Sequence, residues 1–426
     1  MAFSSMFSAP ASPIVADFGS SSLKLLQVTS GEKQLVAAAA EIPIPDDVRG
    51  QSADRRFEFL AQVMPGVLKD NGFKGKRVVC SPSSGHMLVQ HMQAVGGDAP
   101  LEQFKLQLQQ QLGVSPDGVI VRSVPVGELH RDGQAKQEHV VFAIARDDVM
   151  RYVDLFKRLR MQVVGVHNEL QCLLFAFEHL NRRTEDAELT TLYVDLGWGS
   201  TKVAIAHGRD LVFAKNIAIG GRHFDQLVSQ ALKCDITAAR ARRIEQDLIP
   251  LRQAPAPTTA QKRQESLEAG GLAILRAGQA QAATDDRLAS QLTDVHAAVA
   301  EERRTGQRPV EIGSRVPVAG GPAAQRPAVD FSELLEGLSD ELSMCTRYHG
   351  AFFPSRSIDR VIFLGGEARQ IGLCQHLAEA LHCPATSGDP LARMLGPTPP
   401  AGLPEPNQPH PSWAVVCGLV SGPVDL

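Results

Sequence analysis

The sequence predicts an α/β protein built from two similar lobes. Two glycine-rich hairpins, Asp17–Lys24 and Asp195–Thr201, lie nearly half a chain apart, and each follows one apolar strand and precedes another. A third motif, Gly365–Gly366, ends a further apolar strand. The chain has 426 residues, of which 43% are hydrophobic, so it can form two or three domains with sizeable cores.

The composition excludes several classes of protein. A net charge of -4 argues against a nucleic-acid surface, which needs basic patches. No apolar run approaches the roughly 20 residues of a spanning helix. The first residues, MAFSSMFSAPASP, lack the basic and apolar regions of a signal peptide, and seven cysteines without a Cys-x-x-Cys pair indicate reduced thiols. We therefore expect a cytoplasmic protein without nucleic-acid binding or direct membrane insertion.

The first hairpin has the composition of a phosphate-binding turn. Its tight Gly/Ser turn, between strands that begin near Ile14 and Leu23, lets backbone N–H groups approach phosphate oxygens. The aspartate at the strand end can hold a hydrated Mg²⁺, and the lysine beyond the turn can reach a β- or γ-phosphate. We expect contacts to a nucleotide or its metal from Asp17, Gly19, Ser20, Ser21 and Lys24.

The second hairpin repeats this design between the strands Thr191–Asp195 and Val203–Ala206. Either hairpin alone fits an ordinary turn equally well, because Asp and Gly are common turn residues. Two hairpins in the same context instead predict two lobes that close on one nucleotide, with Mg²⁺ held through water by Asp17 and Asp195. The candidate residues of the second hairpin are Asp195, Gly197, Gly199, Ser200 and Thr201.

The third motif follows the predicted strand Val361–Leu364. A strand that ends in Gly365–Gly366 lets the backbone pack against a flat base and ribose, and a turn leading into a helix explains it equally well when it is taken alone. Gly220–Gly221, after Ile217–Ile219, is a similar but weaker candidate.

Hydrophobic spacing predicts the remaining elements. A small module combines a helix over Pro100–Gly113 with strands over Val119–Val126 and Glu138–Ala145. Further helices are predicted over Asp147–Met161, Leu170–Leu180, Phe331–Gly350 and Leu373–Leu381, with a last segment over Trp413–Val420.

The composition changes near Ile249. From Pro250 to about Pro327 the chain has no aromatic residue, so it offers little apolar surface to offset the entropy of ordering. Within it, Leu288, Leu292, Val295 and Val299 keep the spacing of one amphipathic helix. We predict a first lobe over residues 12–188, with the module at about 82–146, and a second lobe over residues 189–426, with a low-complexity insertion at about 250–328.

The three motifs, in this order, resemble the superfamily of actin, hexokinase and the heat-shock chaperones. The serine-rich first hairpin with Lys24 resembles one branch, the PilM family of type IV pilus assembly, which is related to the cell-division protein FtsA. The run Ile217–Gly221 and the closing Ala414–Leu419 are similar to segments of that family. The resemblance covers roughly residues 12–248 and 331–426.

The resemblance implies more than the spacing does. It implies an actin-like (ribonuclease H-like) fold with an extra module in the first lobe, and ATP with Mg²⁺ in the cleft. It also implies a partner, the cytoplasmic tail of a PilN-like inner-membrane protein, gripped by a groove at the module, and other pilus or secretion platform proteins beside it. The protein would then lie at the inner membrane through that partner.

Two features depart from the superfamily pattern. Glu169 stands where relatives carry Glu-Pro, so it is the candidate for positioning an attacking water, and an ordinary helix-face carboxylate is the alternative. Arg240 stands where relatives carry an acidic residue for the ribose, and with Arg242 and Arg243 it predicts a solvated basic face rather than phosphate contacts.

No strong general base is evident, so we expect ATP binding with slow or absent hydrolysis. A small-molecule kinase of the same superfamily is one alternative, but it needs a catalytic aspartate near the lobe connection, where we find only Glu169. A filament-forming protein is another, and the long insertion would hinder tight stacking. The favoured expectation is an ATP-binding scaffold for a type IV pilus or a related secretion machine.

Overall fold

The computed structural model of the protein describes residues 11–31, 33–95, 100–113, 115–131, 134–246, 310–311, 329–400, 402–403 and 408–422. The predicted insertion at residues 250–328 lies outside these ranges, apart from Val310 and Glu311, and so does the amphipathic helix predicted within it. The predicted domain boundaries therefore stay predictions.

The first lobe is organised by a five-stranded sheet of order β3-β2-β1-β4-β8. Its first three strands form antiparallel hairpins, and β4 and β8 continue the sheet in parallel. The outer face is covered by helices whose apolar side chains, including Leu60, Met64 and Phe156, form one core with the sheet. The strands are β1 (Ile14–Phe18), β2 (Ser22–Val28), β3 (Val36–Pro43), β4 (Arg77–Ser81) and β8 (Gln162–Val166), and the helices are α1 (Asp46–Arg49), α2 (Ala53–Asp70) and α4 (Arg146–Arg158).

The second lobe repeats this arrangement in a sheet of order β11-β10-β9-β13-β14-β12. The hairpin β9–β10 is antiparallel and β13 joins β9 in parallel, as β4 joins β1. This repetition confirms the predicted two-lobed α/β fold. The strands are β9 (Thr190–Leu196), β10 (Thr201–His207), β11 (Asp210–Ile217), β12 (Val310–Glu311), β13 (Arg360–Leu364) and β14 (Ala385–Ser387), and the helices are α6 (Gly221–Leu232), α7 (Ile236–Gln246), α8 (Ser332–Phe352) and α9 (Ile371–Leu381).

The predicted small module is an antiparallel sheet of order β5-β7-β6. One face is covered by a helix that buries Phe104 and Leu108 against it. The other face, with Val140 and Phe142, packs into the central core of the molecule. The elements are β5 (Met87–Val95), α3 (Pro100–Leu112), β6 (Val119–Arg131) and β7 (Gln134–Ala145).

Two helices cross between the large sheets. The first, α5 (Glu169–Ala176), leaves the first lobe and packs on β10 and β11, while the second, α10 (Ala414–Ser421), follows the second lobe and packs on β1, β2 and β4. The layers at the centre are therefore sheet, α10, α5 and sheet, and side chains from all four form one apolar core. The predicted boundary at residue 189 assigns α10 to the second lobe by sequence, although α10 completes the core of the first.

The helix predicted over Leu170–Leu180 is shorter than expected. It ends at Ala176, and a 3-10 turn follows over Glu178–Asn181. Beyond the predicted helix end, the side chain of Asn181 donates a hydrogen bond to the Gly208 carbonyl at 2.6 Å.

The contact between α5 and α10 depends on Gly418. A Cβ atom at this position would lie 1.9 Å from the Cys172 carbonyl oxygen. We expect Gly418→Ala to destabilise the protein by roughly 1 to 3 kcal/mol, because the added methyl group must push the two helices apart in a packed core. Chemical denaturation followed by circular dichroism would measure the change.

Gly350 in α8 provides a matched control, since a Cβ atom there would meet nothing within 4 Å. Gly350→Ala should leave the protein as stable or raise its stability by about 0.5 to 1 kcal/mol, the helix-propensity gain of alanine. Equal effects at the two positions would show that the helix crossing is not tightly constrained.

Candidate functional site

The two hairpins face one cleft at the carboxyl ends of β1 and β9. Their tips touch, because a Cβ atom on Gly199 would lie 2.6 Å from Ser20 Oγ. Most of the predicted site residues are brought together on this cleft. The predicted residues that line it are Asp17, Gly19, Ser20, Ser21, Lys24, Asp195, Gly197, Ser200, Gly365 and Gly366.

Asp17 is a buried carboxylate without a full set of partners. It lies one residue before the end of β1, directly across from Lys24 of β2, yet its Oδ1 has no hydrogen-bond partner among the described residues. Lys24 instead donates to Ser22 Oγ at 3.0 Å and lies 3.5 Å from Glu41. Burial raises the pKa of Asp17 to about 7, and the nearby lysines only partly oppose this rise. Among the described residues, no lysine or arginine lies within ion-pair distance of the Asp17 carboxylate.

Asp195 occupies the same position in the second hairpin but is neutralised. Lys202 of β10 lies across from it, with Nζ 2.7 Å from Asp195 Oδ2. The same Nζ lies 3.2 Å from Glu169 Oε2, an ion pair without hydrogen-bond geometry. Burial alone would lower the pKa of Lys202, but the two carboxylates outweigh burial and hold the pKa above its ordinary value.

Each hairpin therefore carries its own aspartate–lysine pair, of which only the first was predicted from the sequence. Asp17 and Lys24 are seven residues apart, and so are Asp195 and Lys202, with each pair in cross-strand register. Lys202 lines the cleft and was missed. The equal spacing of the two pairs is the signal that would have found it.

Glu169, the candidate catalytic residue, lies at the start of α5 and is almost fully buried. Asn168 caps this helix by accepting a hydrogen bond from the Gln171 backbone N–H at 2.8 Å. Glu169 does not line the cleft itself but reaches it through Lys202. In this arrangement the carboxylate is held by a lysine rather than free to accept a proton from water.

Thr201, Gly220 and Gly221 support the second hairpin from behind rather than lining the cleft. The Thr201 hydroxyl donates to the Ile219 carbonyl at 2.8 Å, and the Gly221 backbone N–H donates to the Gly197 carbonyl at 3.0 Å. A Cβ atom on Gly220 would lie 2.6 Å from the Ser200 nitrogen. Only glycine lets the start of α6 approach the hairpin this closely.

The third motif turns sharply at Gly365, which has φ +87°, a conformation that favours glycine. A Cβ atom there would lie 2.3 Å from Asp195 Oδ1, so the loop closes directly over the second hairpin. The next residues, Gly366 and Glu367, line the cleft together with Arg240 and Ile244 of α7. This side of the cleft combines the apolar side chain of Ile244 with the charged side chains of Arg240 and Glu367.

The basic run on α7 is only partly the solvated face that the sequence predicted: Arg242 is exposed and Arg240 half-buried, but Arg243 is not solvated. Arg243 is fully buried, with Nε 2.7 Å from Asp225 Oδ1 and Nη1 2.6 Å from Glu367 Oε2. It ties α6, α7 and the Gly365–Gly366 loop together. The prediction was wrong for this residue because its carboxylate partners are far away in sequence.

The lining fits a magnesium-bound polyphosphate. The orphaned Asp17 oxygen is a hard ligand in need of a cation, and Asp195 lies in the equivalent position of the opposite lobe. The glycine and serine turns present backbone N–H groups without bulky side chains, and Lys24 and Lys202 supply positive charge.

A family model described as the type IV pilus assembly protein PilM matches residues 16–251. Among solved structures, a PilM–PilN type IV pilus biogenesis complex has a TM-score of 0.65 at 16% identity, covering 97% of this chain and 98% of that chain. The ethanolamine utilization protein EutJ from Carboxydothermus hydrogenoformans has a TM-score of 0.46 at 11% identity over 97% and 90%. A search of curated protein sequences gave no match.

The structural likeness to the PilM–PilN complex shows the actin-like fold, and the family model spans more than half of this chain, including both hairpins. In the described part of the chain, no helix is both long and apolar enough to cross a membrane. The chain belongs to the family of the type IV pilus assembly protein PilM.

Proposed function

We propose that this protein binds Mg-ATP between its hairpins and acts as a cytoplasmic scaffold for a type IV pilus or a related secretion machine. It would dock on the cytoplasmic tail of a PilN-like protein and so lie at the inner membrane. The observation that carries the nucleotide proposal is the pair of in-register aspartate–lysine positions, one on each lobe, that face the same cleft.

Each part of the cleft has a role in this proposal. Asp17 and Asp195 would hold Mg²⁺ through water, and Lys24 and Lys202 would neutralise the phosphates. The backbone N–H groups of both turns would bind phosphate oxygens, and the Gly365–Gly366 loop would contact the adenosine. When bound, Mg-ATP supplies negative phosphates and a cation that bridge the two lobes.

The same geometry favours slow turnover. A general base must accept a proton from the attacking water, and a carboxylate paired with a cation does this poorly. Lys202 lies within ion-pair distance of both Glu169 and Asp195. We infer that ATP acts mainly as a ligand that sets the closure of the lobes about α5 and α10.

The small module is the proposed docking surface for the partner's tail. Seven large apolar residues are exposed in the described chain, and three of them, Leu88, Val95 and Leu106, belong to the module. Val95 and Leu106 are the most exposed of the seven, at 51% and 55%. The fold likeness to a PilM–PilN complex supports a PilN-like partner, and the exposed apolar residues of the module are what favour this surface for it.

Both aspartates should be needed for nucleotide binding. We expect Asp17→Ala or Asp195→Ala to weaken Mg-ATP binding by at least about tenfold, roughly 1.4 kcal/mol, because each loses a charge-assisted contact to the metal–phosphate complex. Isothermal titration calorimetry would measure the affinities.

Asp210→Ala, which removes an exposed carboxylate at the start of β11, is the control and should bind normally. Unchanged affinity in both cleft variants would contradict the two-hairpin proposal. Phosphate release by the wild-type protein alone should be far below the rate of an ordinary enzyme, about 10 per second. Phosphorylation of a small acceptor would favour a kinase instead.

The stability of the nucleotide-free protein should depend on the charge of Asp17. Its pKa in the folded state is raised from 3.8 to about 7, so the fold favours the protonated form. The folded state loses stability as pH rises from about 4 to 7, because the ionised group must then be kept buried. Asp17→Asn should remove this loss.

The gain from Asp17→Asn should be near zero below pH 4 and reach up to about 4 kcal/mol above pH 7. Thermal unfolding in the presence of a chelator, measured at pH 4 and pH 8, would test this dependence. Asp210→Asn is the matched control at an exposed position and should show no such trend. A gain that does not change with pH would show that burial of the charge is not its cause.

Docking of the partner should need the module's exposed apolar residues. We expect the double variant Val95→Glu/Leu106→Glu to weaken binding of a labelled tail peptide of the PilN-like protein by at least about tenfold, because charges replace the apolar contact area. Fluorescence anisotropy with and without Mg-ATP would measure the affinity and its dependence on lobe closure.

Met344→Glu, a change at an equally exposed apolar residue of α8, should leave peptide binding intact. If both variants bind the peptide like the wild type, the docking surface lies elsewhere.

A further inference from the structure

A dense group of cations lies at the end of the first sheet where the parallel strands β1, β4 and β8 begin. Four of them follow or end α2 and lead into β4, namely Lys69, Lys74, Lys76 and Arg77. Three more lie at the end of α4, immediately before β8, namely Lys157, Arg158 and Arg160. All seven side chains are exposed. We call these seven residues the basal patch.

The basal patch is positive, although Arg158 also lines a neighbouring pocket with the acidic residues Asp54, Glu58 and Asp154. Within residues 69–77 and 157–160 the only acidic residue is Asp70, whereas the whole chain has a net charge of -4. No ion pair joins any of the seven cations to a carboxylate among the described residues. Three of them, Lys69, Lys157 and Arg158, lie in the last turns of α2 and α4, where a positive charge favours the helix end, and all seven charges stay accessible to a ligand.

A pocket of about 460 Å³ opens within the basal patch. Part of its wall is apolar and includes Leu68, Phe73 and Met161, all of which are partly exposed. Lys69, Lys76, Arg158 and Arg160 line the same pocket. The surface thus places apolar area and positive charge side by side.

This surface cannot serve the nucleotide of the proposed function. Ile14 lines the pocket at the first residue of β1, whereas Asp17 and the glycine turn lie at the other end of the strand. At about 3.3 Å per residue, the five-residue strand separates the two sites by roughly 15 Å of the sheet. The basal patch therefore needs a ligand of its own.

We propose that the basal patch binds anionic phospholipid headgroups and so orients the protein on the inner surface of a membrane. The inference adds a direct lipid contact to the proposed function, which places the protein at the membrane only through a partner. Each exposed lysine or arginine near an anionic lipid surface strengthens binding by roughly fivefold. Mobile headgroups can adjust to the spacing of seven exposed cations, whereas a folded acidic partner must match each of them.

The apolar pocket strengthens the choice of a lipid over a nucleic acid. Single-stranded nucleic acid is bound on platforms of several aromatic side chains, and Phe73 is the single aromatic residue that lines this pocket. An interfacial lipid offers phosphate to the cations and glycerol or acyl carbons to the apolar wall.

The test uses the full chain and vesicles of phosphatidylcholine with or without phosphatidylglycerol. We expect cosedimentation with the anionic vesicles at about 0.1 M salt, little with phosphatidylcholine alone, and loss of binding near 0.5 M salt because the charges are screened. The variant Lys69→Gln/Lys76→Gln/Arg158→Gln should weaken vesicle binding about a hundredfold, the product of three lost cations.

The matched control is Arg182→Gln/Lys233→Gln/Arg347→Gln, which removes the same charge from exposed positions outside the patch and should bind vesicles normally. Both variants should retain Mg-ATP binding, which shows that they are folded. If the wild-type protein fails to bind ATP or the partner's tail, the proposed function is wrong but the lipid contact still stands on the vesicle data.

Three results would overturn the lipid proposal. They are equal binding to neutral vesicles, unchanged binding of the patch variant, and patch-dependent binding of polyglutamate or DNA without binding of vesicles. Ala11 lies beside the pocket, since its Cβ atom is 3.6 Å from a Cβ atom built on Gly75. A variant lacking residues 2–10 tests whether the preceding segment carries the membrane contact, and it should still bind vesicles because the seven cations of the patch remain. Loss of binding in that variant would assign the membrane contact to that segment and overturn the patch.

Discussion

The crossing of α5 and α10 between the two large sheets is the constraint on which the rest of the structure depends. Gly418 lets the helices approach at the Cys172 carbonyl, and the core around them joins both lobes. The start of α5 also sets the position of Glu169, and through it Lys202 and Asp195. A shift of this helix pair would therefore change both the packing of the core and the positions of the charged side chains in the cleft.

The two hairpins have the same backbone design but opposite electrostatic states. Lys202 neutralises Asp195, whereas Lys24 lies near Glu41, and within the part of the chain that the structure describes one oxygen of Asp17 has no hydrogen-bond partner. The protein thus keeps an unfavourable buried carboxylate on one side of the cleft, and it is this residue whose pKa is strongly raised. Buried groups with strongly shifted pKa values are common at binding sites, where a bound cation offsets the free-energy cost of the buried charge.

The sequence predicted the features that depend on local pattern. Both hairpins and the module follow from short-range alternation and turn residues. No helix was predicted over α2, which contains Pro65 in its interior, a residue that normally interrupts a helix. The sequence also failed for the ion pairs of Arg243, because Glu367 lies 124 residues away and the chain pattern cannot show that they meet.

The exchange of central helices between the lobes has a consequence for biosynthesis. The first sheet is complete by Val166, but the helix that covers its inner face, α10, is translated about 250 residues later. Until then Val15, Leu26 and Val79 have no cover on that face. The nascent first lobe exposes apolar surface for most of the time of synthesis, so the growing chain is a natural client for chaperones that shield such surface.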